Sequence, residues 1–199
     1  LCTSESPYID PSDFVSYITK FKHQFCILSV NIQSLRAKFD SLTVFLQALA
    51  DHHFYFSAIC IQESWISPES ANDNMFDIPG YNTFILPSTC TSHGGLVTYF
   101  LDIYKCNTWA LYTSSPLWEC LPLKISSGGL IKPVTILNTY RPPRDRNAEL
   151  KSFLDAFTPV LDKMPRTSTD LFIAGDFYID LLKVDTRSLY ALYLELLYS

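Results

Sequence analysis

The sequence has no excess of positive charge and no long apolar run. Its 199 residues carry 20 Asp and Glu against 15 Lys and Arg, which gives a formal net charge of −5. That balance excludes a general electrostatic attraction for nucleic acid, so polyanion binding requires a local basic patch or a bound cation. No apolar run approaches the about 18 residues that a membrane-spanning helix needs, so we expect no membrane partner.

Cysteine pairs at zinc-ribbon spacing are also missing. The six cysteines, at positions 2, 26, 60, 90, 106 and 120, contain no CxxC pair, which argues against a structural zinc site. Cys26 and Cys60 lie inside apolar runs, where cysteine behaves as a small hydrophobic residue. These features favour a reduced, intracellular protein over a disulfide-bonded one.

The N-terminus, LCTSESPYID, has neither an initiator Met nor a basic segment followed by an apolar one. It does not have the pattern of a secretory signal, and we expect the chain to begin inside a longer reading frame. We assign residues 1–23 to an N-terminal leader segment and residues 24–199 to one domain. The hydrophobic content of 48% and the charged content of 18% are typical of a globular chain.

Short apolar, β-branched and aromatic runs dominate the chain and predict eight strands. Several are apolar on nearly every residue, which is typical of strands covered on both faces. The eight runs are 25–32, 55–62, 81–87, 95–101, 107–113, 117–125, 132–140 and 170–177.

Three stretches have the three- and four-residue apolar spacing of an amphipathic helix, namely 34–51, 147–164 and 187–198. The element order, with strands outnumbering helices, predicts an α/β fold with mixed sheets in layers rather than a purely parallel doubly wound sheet. The chain ends at the third helix, and we expect the sheet beneath it to have an exposed edge.

The second predicted helix has distinctive residues at its start and inside it. Asp145 or Asn147 is placed to cap its N-terminus. Pro159 lies within the apolar pattern, and we therefore predict a break or kink near Thr158.

Polar residues close four of the predicted strands. Asn31 follows FCILSV, Glu63 follows FSAICIQ, Tyr140 follows VTILNT and Asp176 follows LFIAG. Because the carboxyl ends of strands in layered α/β folds gather on one rim, we predict that these four side chains meet there. Each residue taken singly is better explained without a function, as a turn or cap residue or, for Tyr140, an edge aromatic. Their coincidence at four strand ends favours a joint site.

Two carboxylates with few other ligands suit a hard cation such as Mg²⁺, which keeps several waters and takes a substrate phosphate oxygen. Such an ion polarises a phosphodiester and offsets charge on the leaving oxygen. A Tyr hydroxyl and an Asn amide can donate hydrogen bonds to phosphate oxygens. The residue types at the rim therefore point to phosphoryl chemistry.

Positive charge close to this rim is limited to Arg141, Arg144 and Arg146. They are the local candidates for phosphate contact, with an ordinary solvated loop as the alternative. The rim itself is acidic on an acidic protein, so we expect any DNA binding there to depend on Mg²⁺.

Six motifs occur in the order found in one superfamily. They are SVNIQSL (29–35), ICIQESW (59–65), IPGYN (78–82), GGLVTYF (94–100), LNTYRPP (137–143) and FIAGDFYIDLL (172–182). Over roughly residues 24 to 199 the chain resembles the endonuclease/exonuclease/phosphatase superfamily. Within it, the chain is most similar to the endonuclease domain of non-LTR (LINE-type) retrotransposons, which nicks target DNA.

The resemblance implies a four-layer α/β sandwich and phosphodiester hydrolysis on DNA that depends on Mg²⁺ or Mn²⁺. By the resemblance, Glu63 matches the metal-binding Glu and Asn31 the Asn beside it. Tyr140 matches the Tyr that contacts the scissile phosphate, and Asp176 matches the Asp that orients or activates the attacking water. The resemblance also implies a reverse transcriptase domain further along the reading frame and, for a functional protein, a nuclear location. We expect a monomer.

The chain departs from the family in two places. The family has Gly-Asp-Phe-Asn where this chain has Tyr178 as the fourth residue, so a phosphate-contacting amide is replaced by a phenol. The resemblance implies that Tyr178 stands at a phosphate- or DNA-contacting position, and losing one preorganised donor there costs on the order of 10² to 10³ in rate. The family's C-terminal strands and closing Ser-Asp-His motif are also absent, and His23, His52, His53 and His93 do not replace its His. We therefore expect a C-terminally truncated domain with impaired or no activity.

Two alternatives remain. The same superfamily contains phosphatases of inositol phosphates or lipids and RNA-deadenylating exonucleases, but YRPP and the lack of long insertions favour the nuclease. A non-catalytic relic or nucleic-acid-binding module is the other alternative, and binding by such a module would weaken steeply with salt.

Overall fold

The structure is a computed structural model that describes residues 8–88, 90, 93–108, 113–115, 117–126, 129–143, 147–164, 169–186 and 188–198. Asp145, one of the two predicted cap residues of the second helix, lies outside these ranges. Among the described residues, no helix has both the length and the apolar character required to cross a membrane. The five described cysteines are free thiols.

The first sheet has four strands: β1 (Ile27–Asn31), β2 (Ala58–Gln62), β3 (Tyr81–Leu86) and β4 (Leu96–Leu101). Their spatial order is β1-β2-β4-β3. The pair β1 and β2 is parallel, whereas β4 runs antiparallel to both of its neighbours. All four lie within strands that the sequence predicts.

The second sheet has five strands: β5 (Cys106–Thr108), β6 (Thr113–Ser114), β7 (Glu119–Ile125), β8 (Val134–Tyr140) and β9 (Asp170–Asp176). Their order is β5-β7-β8-β9, with β6 also paired to β7. Only β8 and β9 are parallel. The strand predicted at 107–113 begins within β5 and ends at the first residue of β6, and positions 109–112 between them lie outside the described residues.

The helices are α1 (Phe14–Ile18), α2 (Leu35–Ala50), α3 (Asn147–Asp162) and α4 (Ser188–Tyr198). Short 3₁₀ helices cover Thr19–Phe21, Pro68–Ser70, Asn74–Phe76 and Leu181–Thr186. The sequence analysis does not predict α1, which lies in the segment assigned as a leader. This helix packs against the core between α2 and the first sheet through Phe14, Val15 and Ile18.

The predicted break near Thr158 is wrong, because α3 continues through Pro159 to Asp162. Phe157 before the proline and Leu161 after it are both buried in the same core cluster. Pro159 lacks the N–H that would donate to the carbonyl four residues earlier, so one helical hydrogen bond is missing at this point. Packing on both sides of the proline therefore keeps the helix continuous.

Three core clusters define the layers. In the first sheet, Ile59 and Ile61 face α2, whereas Ala58 and Cys60 face the second sheet. This is the two-residue alternation of a strand covered on both sides. The second sheet packs its other face on α3 and α4 through residues such as Leu137. The observed order helix–sheet–sheet–helix confirms the predicted four-layer α/β sandwich with mixed sheets.

A buried amide pair joins the two sheets directly beneath the carboxyl ends of β2 and β8. Gln62 donates from Nε2 to Asn138 Oδ1 at 2.7 Å. Asn138 Nδ2 donates to Ile61 O at 3.2 Å, to Val97 O at 3.0 Å and to Thr98 Oγ1 at 3.0 Å. A buried amide is stable only when its polar atoms are satisfied, so this network fixes one relative placement of the sheets.

Replacing Asn138 with Ala is expected to destabilise the fold by about 2–4 kcal/mol, because several buried polar groups lose their partner together. Urea unfolding followed by tryptophan fluorescence measures this loss. Asn107→Ala is the matched control, since Asn107 is exposed on β5 and its loss is expected to change stability by about 0.5 kcal/mol at most. Equal stabilities of the two variants would show that the amide network does not hold the sheets.

Candidate active site

The four predicted strand-end residues lie on one rim of the sandwich. Asn31 is the last residue of β1, and Glu63 directly follows β2. Tyr140 and Asp176 are the last residues of β8 and β9, and they are register partners in that parallel pair. The rim therefore combines side chains from both sheets.

Asn31 bridges the two carboxylates. Its Nδ2 donates to Glu63 Oε1 at 2.7 Å and to Asp176 Oδ2 at 2.8 Å. Because only the NH₂ of an amide donates, the two acceptors fix the orientation of this side chain. Asn31 and Glu63 belong to the first sheet and Asp176 to the second, so one amide ties the sheets together at the rim.

The oxygen atom of the same amide accepts no hydrogen bond. Asn31 Oδ1 is buried and has no hydrogen-bond partner. An oxygen in this state, beside two carboxylates, fits a hard divalent cation that takes oxygen ligands and keeps several waters. Within the described ranges, no group of three or more His, Cys, Asp and Glu side chains forms a cage for a metal. The oxygen donors at the rim, two carboxylates and one amide oxygen, are of the type that a hard divalent cation takes together with water.

The loops that follow the rim strands are held in left-handed backbone conformations. Positive φ occurs at Gln33 and Ser34 after β1, at Glu63 and Trp65 after β2, and at Tyr178 after β9. Such conformations are unfavourable for residues with a side chain and persist where surrounding contacts impose them. At Glu63, φ is 52°, and its carbonyl accepts from Ser34 N at 2.9 Å. A backbone hydrogen bond thus holds the main chain at Glu63, and Asn31 and Trp65 hold its carboxylate.

Tyr140 is 1% exposed, and its pKa lies far above the ordinary value. Burial is the largest cause, followed by the charge of Glu63 and a hydrogen bond to that carboxylate, with smaller contributions from Tyr178 and Asp176. The raised pKa keeps the phenol protonated at neutral pH. Tyr140 is therefore a hydrogen-bond donor at the edge of the carboxylate pair.

Tyr178 occupies the rim in a conformation that suits its residue type poorly. Its φ is 48°, a region in which Asn and Gly are favoured. Its backbone N–H donates to Asp176 Oδ1 at 3.3 Å, while the ring is 41% exposed. Partial burial, the charges of Asp176 and Glu63, and a hydrogen bond to Glu63 raise the pKa of Tyr178. The backbone conformation is one that Asn adopts more readily than Tyr, and the phenol lies within the electrostatic influence of Glu63.

Arg141, a predicted phosphate contact, is buried and does not lie on an open surface. It is 3% exposed, and its Nη1 donates to the carbonyls of Phe177 at 3.1 Å and Tyr178 at 3.4 Å. Its guanidinium also lies 5.9 Å from the centre of the Phe153 ring. Arg141 supports the loop after β9 because the carbonyls of that loop accept hydrogen bonds from its guanidinium. Arg144 and Arg146, the other predicted phosphate contacts, lie outside the described residues.

All four histidines lie in turns or bends outside the helices and strands. His23 is an exposed residue in a turn before β1, and His52 and His53 are exposed at the end of α2, before β2 begins. The rim lies at the opposite ends of these two strands. His93 is half-buried and directly precedes Gly94 in the loop before β4.

The structure adds two side chains that the sequence analysis does not name. Trp65 donates from Nε1 to Glu63 Oε2 at 3.3 Å. Glu119, the first residue of β7, is 4% exposed and pairs in register with Tyr140. The pKa of Glu119 is raised to about 7, chiefly by burial. A hydrogen bond from Gly95 N opposes this rise, and the charge of Glu63 adds to it. In the sequence, Glu119 can be recognised as a single acidic residue within the apolar run LWECLPL.

Changing Asn31 to Asp is expected to replace the bridging donor with a third carboxylate. In the presence of chelator, this variant is expected to lose about 1–3 kcal/mol of stability, because Glu63 and Asp176 lose their shared donor and face a like charge. Thermal unfolding with chelator and with Mg²⁺ measures the effect, and Mg²⁺ is expected to restore more stability to the variant than to the unchanged chain. Asn82→Asp, at an exposed position of β3, is the control. A melting temperature of the Asn31 variant that is insensitive to Mg²⁺ would contradict the assignment of the cation to this amide.

No protein-family model and no curated protein sequence matches the chain at a significant level. Solved structures do match. An AP endonuclease (LMAP) from Leishmania major superposes with a TM-score of 0.56 at 16% identity, over 75% of this chain and 54% of the other. An AP endonuclease from Archaeoglobus fulgidus gives a TM-score of 0.58 at 15% identity, over 85% and 70%. TDP2 from D. rerio, complexed with a single-strand DNA product, gives 0.53 at 13% identity, over 80% and 62%.

The chain thus spans about half to two-thirds of the length of these structures. Identities this low establish a common fold and leave the chemistry to the residues of the site. Together with the observed layers, the superpositions confirm the endonuclease/exonuclease/phosphatase fold that the sequence motifs predict.

Proposed function

We propose that this chain is the endonuclease domain of a protein derived from a LINE-type retrotransposon, that the chemistry of its site is Mg²⁺-dependent hydrolysis of phosphodiester bonds in DNA, and that this activity is impaired or absent in the chain itself. The observation that carries the proposal is the bridging Asn31, which joins Glu63 and Asp176 and leaves a buried, unpartnered oxygen. The family motifs and the superposed AP endonucleases and DNA-bound TDP2 support it. We further propose a nuclear location and a reverse transcriptase domain in the same reading frame.

Glu63 and Asn31 Oδ1 would hold the divalent cation. When bound, Mg²⁺ or Mn²⁺ supplies a positive charge that polarises the phosphate and stabilises the leaving oxygen. Nδ2 of the same Asn31 keeps its contacts with both carboxylates, so the amide can serve the cation and the protein at once. This division of roles explains why an Asn, with one donor and one acceptor end, stands at the rim.

Asp176 would orient the attacking water and accept its proton. Its two carboxylate oxygens are fixed from opposite sides, by Asn31 Nδ2 at 2.8 Å and by Tyr178 N at 3.3 Å. A carboxylate held in this way is already oriented for proton transfer before substrate binds. Less entropy is then lost in reaching the reactive geometry, which lowers the activation barrier. The strand-end position of Asp176 thus serves the proton transfer.

Tyr140 would donate its hydroxyl proton to a non-bridging phosphate oxygen. Its raised pKa keeps that proton in place at neutral pH, and its burial fixes the ring. A preorganised donor acts most strongly on charge that develops during the reaction. Tyr140 is therefore the phosphate-binding member of the site.

Tyr178 would impair this chemistry. The expected Asn would present an amide donor to the phosphate, whereas the phenol of Tyr178 interacts with the carboxylate that is to bind the cation. A chain that binds DNA without cleaving it is the second candidate function, and the same observation favours it. The phosphatase and RNA exonuclease alternatives lack a comparable observation.

The unchanged chain is expected to nick supercoiled plasmid DNA slowly or not at all, and Tyr178→Asn to accelerate Mg²⁺-dependent nicking. The gain is expected on the order of 10² to 10³, because an amide donor is restored in a backbone conformation that Asn tolerates. Gel electrophoresis of plasmid over time measures the rate. Tyr55→Asn, at an exposed tyrosine, is the control that is expected to change nothing. Rapid nicking by the unchanged chain would contradict the proposed impairment.

Adding Glu63→Ala to the Tyr178→Asn variant is expected to abolish the recovered nicking, because the cation loses its carboxylate ligand. Glu69→Ala in the same background is the matched control, since Glu69 is an exposed acid six residues further along. Persistence of nicking without Glu63 would refute the site. Salt-sensitive DNA binding without nicking in every variant would favour the second candidate.

A further inference from the structure

Glu119 is a buried acid that the proposed chemistry does not use. It begins β7, is 4% exposed, and stands opposite Tyr140 in the antiparallel pair of β7 and β8. Removing a carboxylate from water is costly unless hydrogen bonds compensate for the lost hydration. Its contacts therefore indicate what this residue does.

The carboxylate of Glu119 holds the turn that precedes β4. Oε2 accepts from Gly95 N at 2.6 Å, a short bond of the kind that a charged acceptor makes. Oε1 lies against Gly94, where an added Cβ would come within 2.7 Å of it. Both glycines have left-handed conformations, with φ near 80°, which glycine adopts without strain.

The same turn holds the backbone that follows Glu63. The carbonyl of Gly95 accepts from Ser64 N at 3.0 Å, and that of Gly94 accepts from Trp65 N at 3.1 Å. These two bonds lie immediately after Glu63, whose own backbone has a positive φ. A continuous set of hydrogen bonds thus leads from Glu119, through the Gly94–Gly95 turn, to the backbone immediately after Glu63, the proposed metal ligand.

We propose that Glu119 is a positioning residue that fixes the Glu63 carboxylate for the cation through the Gly94–Gly95 turn. The inference rests on the proposed function in that it takes Glu63 as the metal ligand. The side chain that touches the cation would be Glu63, and Glu119 would act two hydrogen bonds behind it. Supporting groups at this distance commonly change metal affinity about 10- to 100-fold when removed.

Mn²⁺ binding to the full chain, measured by electron paramagnetic resonance, tests the proposal without relying on catalysis. Glu119→Ala is expected to weaken Mn²⁺ binding about 10-fold or more, because the Gly95 N–H loses its acceptor. Glu119→Gln keeps an acceptor oxygen of the same reach and is expected to restore most of the affinity. Thermal unfolding of each variant monitors stability.

A pair of glycine variants separates positioning from general destabilisation. Gly94 and Gly80 both have φ of +81°, but an added Cβ meets Glu119 only at Gly94 and meets nothing within 4 Å at Gly80. Gly94→Ala and Gly80→Ala therefore impose similar backbone strain. Only Gly94→Ala is expected to weaken Mn²⁺ binding, because only it displaces the Glu119 carboxylate.

Three results would overturn the proposal, and they differ in what they reject. Unchanged Mn²⁺ affinity in Glu119→Ala, with loss of binding in Glu63→Ala, would reject the positioning role and leave the proposed function intact. Unchanged Mn²⁺ affinity in Glu63→Ala would reject the metal site itself, and the role of Glu119 would fall with it. An equal loss of affinity in Gly80→Ala and Gly94→Ala would also reject the positioning role.

Discussion

Asn31 holds two carboxylates from different sheets within hydrogen-bond reach of a single amide nitrogen. Two carboxylates so placed repel each other, and the repulsion is stronger in a partly buried site than in water. Nδ2 of Asn31 donates one hydrogen bond to each carboxylate, at 2.7 and 2.8 Å. Its oxygen stays buried and unpartnered. A divalent cation would relieve both problems, since it offsets the like charges and fills the place beside that oxygen.

The surroundings of the rim are organised to keep that arrangement. Beneath it, the amide pair of Gln62 and Asn138 fixes how the sheets face each other. Beside it, the Gly94–Gly95 turn and Ser34 hold the backbone around Glu63 in a left-handed conformation. Behind the other sheet, Arg141 binds the carbonyls of the loop after β9. Backbone strain at the rim is thus maintained by buried contacts, as is common where side chains must point at a shared ligand.

The sequence predicts the strands, three of the helices and the four strand-end residues, because apolar alternation and the position of a polar residue after it are local properties. The partners of Glu119 and Asn138 depend on which faces of two distant strands meet, which no local pattern encodes. Arg141 illustrates the same limit, since its neighbours in sequence suggest an exposed basic loop while packing buries it. The continuous helix through Pro159 shows tertiary packing overriding a local preference. The sequence alone identifies Tyr178 as a departure from the family pattern, whereas its interaction with Glu63 is known only from the fold.

The most direct test of the central claim is a crystal structure of the chain soaked in Mn²⁺, with anomalous difference density used to locate the metal. The account predicts a peak about 2.1 Å from a carboxylate oxygen of Glu63 and from Asn31 Oδ1, with water filling most other positions. Asp176 is predicted to keep its hydrogen bond to Asn31. Absence of a peak at this rim, or a peak elsewhere with Asn31 Oδ1 still unpartnered, would contradict the account.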